Sequence, residues 1–421
     1  MNKNTLILTA LALSLTFSFG ITSHANAANP FSNNRQGLIN YLNGLSNNQN
    51  SRLISGQMLG SARTEMLWQK WQIGDGPLMR MAENIHTQTG QWIGLAGFEY
   101  TGYDGLVQPE WVNPVAINYW NQGGLVQIMA HLFNPATGGE WDTNINLSDV
   151  YTPGTTAYNN FKIVLDKIAA GFQELENNGV IVIWRPFHEM NYAWFWWGHK
   201  NPDVYKRLWQ YTHNYFTVTK GLSNLVWSYT PNTQTISNAS DLTTAVTRYY
   251  PGDQYVDIVG LDFYGIENPE RAVGYSELAV LGKPFVLGEV GPANVGICEQ
   301  SCYDYAKLVP AIKQYFPKTV TFMAWSAGAR MDKNPNVKTL LDDPWVLNRG
   351  ELGGGITPPI PGASTCSNLL NSTLTVPANF GASFNWFSSA KELLLQASCG
   401  SGGSFVTVGS GSNTQYIYKT G

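Results

Sequence analysis

Charged residues are scarce in this 421-residue chain: Asp, Glu, Lys and Arg together account for 13% of it, and the net charge is −4. A mildly acidic chain gives no electrostatic reason to expect nucleic acid or an anionic membrane as a partner. Hydrophobic residues make up 43%, which excludes a disordered protein and predicts a globular one. The length allows one large domain of roughly 300 residues and a smaller one.

Common nucleotide-binding and metal-binding motifs are also missing. No GxGxxG or Walker-type phosphate loop follows an apolar run, and the histidines after residue 27 are scattered. The segment "HEMNY" is not an HExxH zinc motif, because residue 192 is tyrosine. These absences disfavour both a nucleotide-binding domain and a zinc hydrolase.

Cysteine is rare, with four residues at positions 298, 302, 366 and 399. Three pairings are open, and the simplest joins Cys298 to Cys302 and Cys366 to Cys399. A metal site is disfavoured because "CEQSC" places three residues between its cysteines rather than two.

The N-terminal segment has the three parts of a secretory signal. Lys3 is followed by an apolar stretch from Leu6 to Phe19 and by an A-x-A site ending at Ala27. This pattern predicts a signal peptide over 1–27, with an N-terminal membrane anchor as the alternative. No other apolar stretch approaches the roughly 18 residues that a membrane span needs. We therefore expect a secreted protein, extracellular or held in the periplasm or at the outer surface, without membrane association after cleavage.

Composition divides the rest of the chain into three parts. Gly and Pro dominate 351–363, which predicts a linker between a large domain at 28–350 and a small module at 364–421. The module contains "SFVTVGS" and "TQYIYKT", whose alternation predicts β-strands. It is interpreted either as a carbohydrate-binding module or as a β-rich appendage that packs on the large domain or mediates attachment.

The large domain alternates eight short apolar runs with amphipathic helical patterns. Two of these patterns cover 158–179 and 201–221. Strands that are apolar throughout indicate a parallel sheet covered on both faces. Eight strand–helix units predict an α/β protein with a (β/α)8 TIM barrel, and an open doubly wound sheet is the alternative. The apolar runs are 52–58, 92–100, 124–133, 180–187, 225–232, 256–265, 284–291 and 320–328.

A barrel places its functional residues at the carboxyl ends of the strands. Glu189 and Glu289 follow the fourth and seventh apolar runs, which face one another across an eight-stranded barrel. Paired carboxylates beside stacked aromatic rings are what glycoside hydrolysis requires. Other polar or aromatic residues at strand ends are Glu99, Tyr100, His131, Asn134, Arg185, His188, Asn191, Asp262, Tyr264 and Trp325.

The residues of the segment "RPFHEMNYAWFWWG" at 185–198 can have structural roles as well as functional ones. Arg185 can brace a carboxylate or contact substrate, and His188 can be a satisfied core histidine or a ligand. Three indoles in four residues cannot all face one way, so some should pack and others should line a cleft, where a sugar ring can stack on them.

This segment resembles glycoside hydrolase family 26, whose best-known members are endo-β-1,4-mannanases. The similarity extends over 38–350 through "HLFNPATGGEW", "GLDFYG", "GEVGP" and a Trp after the eighth strand. It implies a (β/α)8 barrel, retaining chemistry, and no metal or other cofactor. By resemblance, Glu189 is the general acid/base, Glu289 is the nucleophile, and Tyr264 holds the nucleophile by a hydrogen bond.

The resemblance also implies the residues that bind substrate. His188 would lie near the sugar 2-hydroxyl, and His131, Trp194, Trp325 and Asp262 would contact sugar near the cleavage point. Arg185 and Asn191 would support the site, and we expect Asn191 to shape the sugar site with Trp194. Many mannanases carry Arg where this chain has Ser326, which puts one contact to a distal sugar in doubt.

The function expected from the resemblance is a secreted, monomeric, retaining endo-β-1,4-mannanase acting on mannan, glucomannan or galactomannan. The same chemistry on β-1,3-xylan or mixed-linkage β-glucan is an alternative. A non-catalytic carbohydrate-binding wall protein is a more remote one.

Overall fold

Eight parallel strands close into a barrel in the computed structural model of the chain. The structure describes residues 29–46, 52–71, 76–102, 104–235, 240–353, 404–408 and 415–419. Each strand pairs with its neighbour in chain order, and β7 pairs with β8, which in turn pairs with β1 and closes the ring. The barrel strands are β1 Gly56–Ser61, β2 Leu95–Glu99, β3 Leu125–Met129, β4 Val182–Arg185, β5 Leu225–Tyr229, β6 Ile258–Tyr264, β7 Phe285–Gly291 and β8 Thr319–Ala324.

Helices surround the barrel and cover its outer face. The predicted barrel is confirmed by the closed ring of strands. Its strands are buried on both faces, which explains why their sequences are mostly apolar. The α-helices are α1 Arg35–Leu45, α2 Ala62–Trp71, α3 Arg80–Thr89, α4 Pro109–Asn121, α5 Thr156–Asn177, α6 Pro202–Asn214, α7 Tyr275–Ala279, α8 Leu308–Tyr315 and α9 Val337–Leu341.

The two predicted amphipathic helices form close to their expected bounds. The Thr155 side chain accepts the N–H of Tyr158 and begins α5, and Gly179, with φ of 73°, follows its end. Asn201 caps α6 in the same way, but the predicted single helix over 201–221 changes at Tyr215 into the π-helix Tyr215–Thr219.

Two local predictions about the strand–helix pattern are wrong. The first apolar run, 52–58, is divided at Ser55, whose hydroxyl donates to the Leu347 carbonyl while the short strand Leu53–Ile54 pairs with Val346–Leu347. The connection from β5 to β6 contains, in its described part, no α-helix. Its sequence is rich in Thr and ends in Pro251–Gly252, residues that disfavour helix.

The chain divides into two compact units, 1–356 and 357–421. In the second unit the structure describes an antiparallel pair of strands, Ser404–Val408 and Gln415–Lys419, which lie in the two predicted β-runs. The predicted signal peptide (1–27) and the pair Cys366–Cys399 lie outside the described residues, as do most of the linker and the rest of the small module. Cys298 and Cys302 form the predicted disulfide. Among the described residues, no helix has the length and apolar character needed to cross a membrane.

Candidate active site

A buried arginine lies at the centre of the polar residues in the barrel mouth. Arg185, at the end of β4, is fully buried, and its Nη1 donates to Asp262 Oδ2 at 2.6 Å and to Thr230 Oγ1 at 3.0 Å. Its Nη2 donates to Glu289 Oε1. Burial lowers the pKa of Arg185, but the charges of Asp262 and Glu289 outweigh burial and raise it. Arg185 therefore braces two carboxylates from two different strands.

Glu289 projects from β7 into this network. The register of β7 against β6 shifts between Leu287 and Glu289, and residue 288 is a glycine. A Cβ there would lie 2.6 Å from Asp262 Oδ1, so the close approach of the two strands requires glycine. The hydroxyl of Tyr264 donates to Glu289 Oε2 at 2.5 Å. Glu289 thus has donors on both oxygens, which fixes its orientation.

Glu189 faces the same opening but has a different environment. Its side chain accepts from the indole N–H of Trp194 at 2.6 Å and from the amide of Asn232 at 2.6 Å. Burial and the nearby charge of Glu289 raise the pKa of Glu189 to about 7, against the opposing effect of both hydrogen bonds and Arg185. Glu189 can therefore carry a proton near neutral pH, as a general acid must.

The backbone that presents Glu189 adopts an unusual conformation. Phe187 and Glu189 have φ of 47° and 53°, in the left-handed region that non-glycine residues rarely occupy. The Glu189 N–H donates to the carbonyl of Thr230 at 2.9 Å, which anchors this turn to the end of β5. Strain of this kind persists where the surrounding structure enforces it, and it is common at functional sites.

The aromatic residues of this segment divide into two groups. Trp196 and Trp197 are fully buried, and their indole N–H groups donate to the carbonyls of Leu132 and His188. Trp194 is 37% exposed and stacks on Tyr192, with ring centroids 4.6 Å apart and planes 5° from parallel. Two indoles therefore pack the loop, and Trp194 stays partly exposed beside Glu189.

Two histidines meet between the strand ends. Nε2 of His131 lies 3.1 Å from Nε2 of His188, which is itself 3.8 Å from Glu289 Oε1. Burial and the charges of Arg185 and His131 lower the pKa of His188 well below its ordinary value, so its ring is neutral. Burial also disfavours the charged form of His131, but the charge and hydrogen bond of Glu99 outweigh burial and raise its pKa.

A cleft of about 480 Å³ opens beside these residues. His131, Trp325 and Ser326 line it, and the ring centroids of His131 and Trp325 are 6.1 Å apart. Trp141, 62% exposed, also lines the cleft and stacks on Phe195. The structure thus brings predicted residues of β3, β4, β6, β7 and β8 into one connected set of contacts.

Asn191 does not reach the sugar site that it was expected to shape. Its side chain is fully buried, donates to the carbonyls of Asn232 and Thr244, and accepts the Asn232 N–H at 2.9 Å. Its polar groups are used in holding the loop after β5. Asn191 therefore acts as support, by positioning the amide that bonds to Glu189.

Sequence reasoning missed Asn232 and Trp141. Asn232 follows β5 in "SYTPN", where the rule that polar residues at strand ends are functional would have identified it. Trp141 ends the motif "HLFNPATGGEW", but it lies well beyond its strand, and no strand-end signal distinguishes it from a surface residue.

The three acids Glu189, Asp262 and Glu289 bring oxygen atoms within 4.8 Å of one another. Such a cluster needs a compensating cation. The guanidinium of Arg185 supplies one, because it donates directly to two of the three carboxylates. Burial, with the charges of Glu289 and Glu189, raises the pKa of Asp262 well above its ordinary range despite Arg185.

Comparison with known proteins agrees with this geometry. The glycosyl hydrolase family 26 model matches residues 27–351. A mannan endo-1,4-beta-mannosidase of Bacillus subtilis (strain 168) is 35% identical and aligns with 76% of this chain and 88% of its own length. Another, from Caldalkalibacillus mannanilyticus, is 33% identical over 85% of this chain and 69% of its own. The structure of a Bacillus subtilis mannanase superposes with a TM-score of 0.65 at 33% identity, covering 79% of this chain and 98% of that one. The chain belongs to glycoside hydrolase family 26.

Proposed function

We propose that this protein is a secreted endo-β-1,4-mannanase that cleaves internal linkages of mannan, glucomannan or galactomannan with retention of configuration. The observation that carries the proposal is the pair Glu189 and Glu289, whose carboxylate oxygens approach within 4.8 Å in unequal environments. Inverting enzymes separate their carboxyl groups by about 6.5–9.5 Å to admit a water, so this short approach supports the retaining mechanism.

The first step transfers the glycone to the enzyme. The Glu289 carboxylate, oriented by Arg185 and Tyr264, attacks the anomeric carbon as the bond to the leaving oxygen breaks. Glu189 gives its proton to that oxygen, so the departing sugar leaves as a neutral alcohol. The products are a glycosyl ester on Glu289 and an ionised Glu189.

The second step returns the enzyme to its starting state. Esterification removes the charge of Glu289, which is one cause of the raised pKa of Glu189. The pKa of Glu189 therefore falls, and its carboxylate takes a proton from water as the water oxygen bonds to the anomeric carbon. The bond to Glu289 breaks, which restores its carboxylate and the proton on Glu189.

The choice of mannan rests on the relatives, since both sequence relatives described above are named mannan endo-1,4-beta-mannosidases. The test is release of reducing ends by the full chain from mannan, β-1,3-xylan and mixed-linkage β-glucan. We expect release from mannan, with the β-anomer formed first when the products are followed by NMR. Release from either other polymer without release from mannan would overturn the substrate, and initial formation of the α-anomer would overturn retention.

Export is part of the proposal. The A-x-A site ending at Ala27 supports it, and so does the disulfide between Cys298 and Cys302, because disulfides persist in oxidising compartments. Recovery of the mature protein outside the cytoplasm, with Ala28 at its N-terminus, is the expected result. A protein retained in the cytoplasm with residues 1–27 intact would contradict export.

The pH dependence should report the proton on Glu189. Because burial and Glu289 raise its pKa to about 7 and the first step needs the protonated acid, kcat/KM should fall as pH rises through about 7. Trp194→Phe keeps the ring but removes an N–H that stabilises the charged carboxylate. The pKa of Glu189 should then rise, and the alkaline limb of the pH profile should move to higher pH.

Trp194→Ala is the matched comparison for that variant. It removes both the N–H and the ring stacked on Tyr192, so the alkaline limb should move and KM should also rise. Pre-steady-state or initial-rate kinetics across the pH range measure both effects. An alkaline limb that stays in place in Trp194→Phe would show that this hydrogen bond does not influence the acid.

A further inference from the structure

A chain of polar contacts crosses the barrel mouth from β2 to β7, and the mechanism above does not use its first member. Glu99, the last residue of β2, is 6% exposed. Its Oε1 accepts the backbone N–H groups of Thr101 at 2.8 Å and of His131 at 2.9 Å. Its Oε2 lies 2.6 Å from Nδ1 of His131. Three donors therefore hold the carboxylate in one orientation.

The short contact to Oε2 assigns a proton to His131. A carboxylate only accepts, so Nδ1 of His131 must carry the hydrogen between them. The other ring nitrogen, Nε2, then faces His188 Nε2 at 3.1 Å, with the rings at 85°. In the neutral ring this Nε2 is an acceptor, and it requires an N–H from His188.

The surroundings of His188 favour the same direction of donation. Its Nδ1 is buried without a hydrogen-bond partner among the described residues. A buried N–H without a partner is rarer in proteins than an unpaired acceptor, so the proton of neutral His188 belongs on Nε2. The same Nε2 atom lies 3.8 Å from Glu289 Oε1, so the hydrogen that it donates to His131 also lies beside the nucleophile.

We propose that Glu99 is a positioning residue for the glycosidase reaction: by keeping the proton on Nδ1 of His131, it makes His188 keep its own proton on Nε2, the nitrogen beside Glu289. This inference rests on the proposed function. The N–H dipole stabilises the Glu289 carboxylate, which is the leaving group when the covalent intermediate is hydrolysed. A lone pair at the same place would oppose its departure.

The groups that face His131 are Glu99 from β2, Arg185 and His188 from β4 and its loop, and Glu289 from β7. Glu99 and Glu289 favour a charged His131 ring, and Arg185 opposes it. When His131 gains a second proton in acid, the direction of its bond to His188 must reverse. Glu99 therefore also sets the acidic limb of the pH profile.

Glu99→Gln tests this assignment with little change of shape. The N–H groups of Thr101 and His131 keep the glutamine oxygen at the Oε1 position, so its NH2 faces Nδ1 of His131. Two donors cannot face one another, and the proton must move to Nε2. We expect kcat to fall by roughly 10–100-fold, as for other lost orienting partners of histidine, with KM little changed and the acidic limb at lower pH.

The direct readout is the 15N chemical shifts of the histidine rings in the full chain. We expect the wild type to show Nδ1 of His131 and Nε2 of His188 protonated near neutral pH, and Glu99→Gln to show both reversed. Glu83→Gln, which changes an exposed residue of α3, is the control and should leave kcat and the shifts unchanged.

Two results would overturn the inference: an unprotonated Nδ1 of His131 in the wild type, or a Glu99→Gln variant with wild-type kcat and pH profile. The wild-type shifts decide the matter even if the variant fails to fold. A wild type that hydrolyses no glycan would instead reject the proposed function, while the tautomer measurement would still decide how Glu99 orients His131.

Discussion

Glu289→Gln should abolish turnover, with kcat/KM on mannan reduced by at least about 10⁴-fold, the scale of losing a covalent nucleophile. A neutral amide keeps the shape of the side chain. Its oxygen can still accept from Arg185, and its NH2 can donate to the Tyr264 hydroxyl, but it cannot attack the anomeric carbon. Glutamine is preferred to alanine, because truncation would also leave the buried Arg185 Nη2 without the acceptor that residue 289 provides.

The measurement is the release of reducing ends by the purified variant, with its folding checked by circular dichroism and thermal unfolding. Glu277→Gln, which makes the same change at an exposed position of α7, should retain the wild-type rate. Activity of Glu289→Gln within about tenfold of the wild type would reject the assignment of Glu289 as nucleophile.

Glu189→Ala should lower kcat/KM on mannan by about 10²–10⁴-fold, the usual contribution of a general acid. The loss should be much smaller on an aryl mannoside whose phenolate leaves readily, because that leaving group needs no proton. With such a substrate the first step remains fast and the second becomes slow, since no base activates water. A burst of phenolate followed by slow turnover is therefore expected.

Azide separates the acid and base roles of Glu189. It attacks the glycosyl ester without needing a base, so it should restore turnover of the aryl mannoside by Glu189→Ala and form a β-mannosyl azide. Glu289→Ala should form no β-mannosyl azide, because it forms no glycosyl ester. Equal losses on mannan and on the aryl mannoside, without rescue, would show that Glu189 is not the acid/base.

Much of the fold was predictable because a parallel barrel has a simple sequence pattern. Strands such as β3, "LVQIM", are buried on both faces, so burial favours a run that is apolar at most positions. The division at Ser55 and the π-helix at Tyr215–Thr219 were not predictable. Each depends on contacts with distant segments, such as the bond of Ser55 to Leu347, that leave no local pattern.

The candidate site shows the same division. The charged residues at the strand ends, Glu189 and Glu289, could be recognised because burying a charge within an apolar run is costly unless the charge is paired or has a function. Asn191 could be identified as a residue of this region, but its contacts could not be predicted. The sequence does not show whether its side chain faces a cleft or the loop after β5. Asn232 was missed although it follows β5, and its distance to Glu189 is what shows that its amide belongs to the site.

The sequence by itself determined the class of fold, the two carboxylates and the aromatic wall beside one of them, because these follow from residue type and strand order. Only the tertiary structure decided what distinguishes the carboxylates. Arg185 and Tyr264 converge on Glu289, while burial and the charge of Glu289 raise the pKa of Glu189 to about 7. It also decided that Trp194 stays partly exposed beside Glu189, whereas Trp196 and Trp197 are fully buried. The physical reason is that electrostatic energies depend on distances of a few ångströms between residues far apart in the chain, and barrel closure sets those distances.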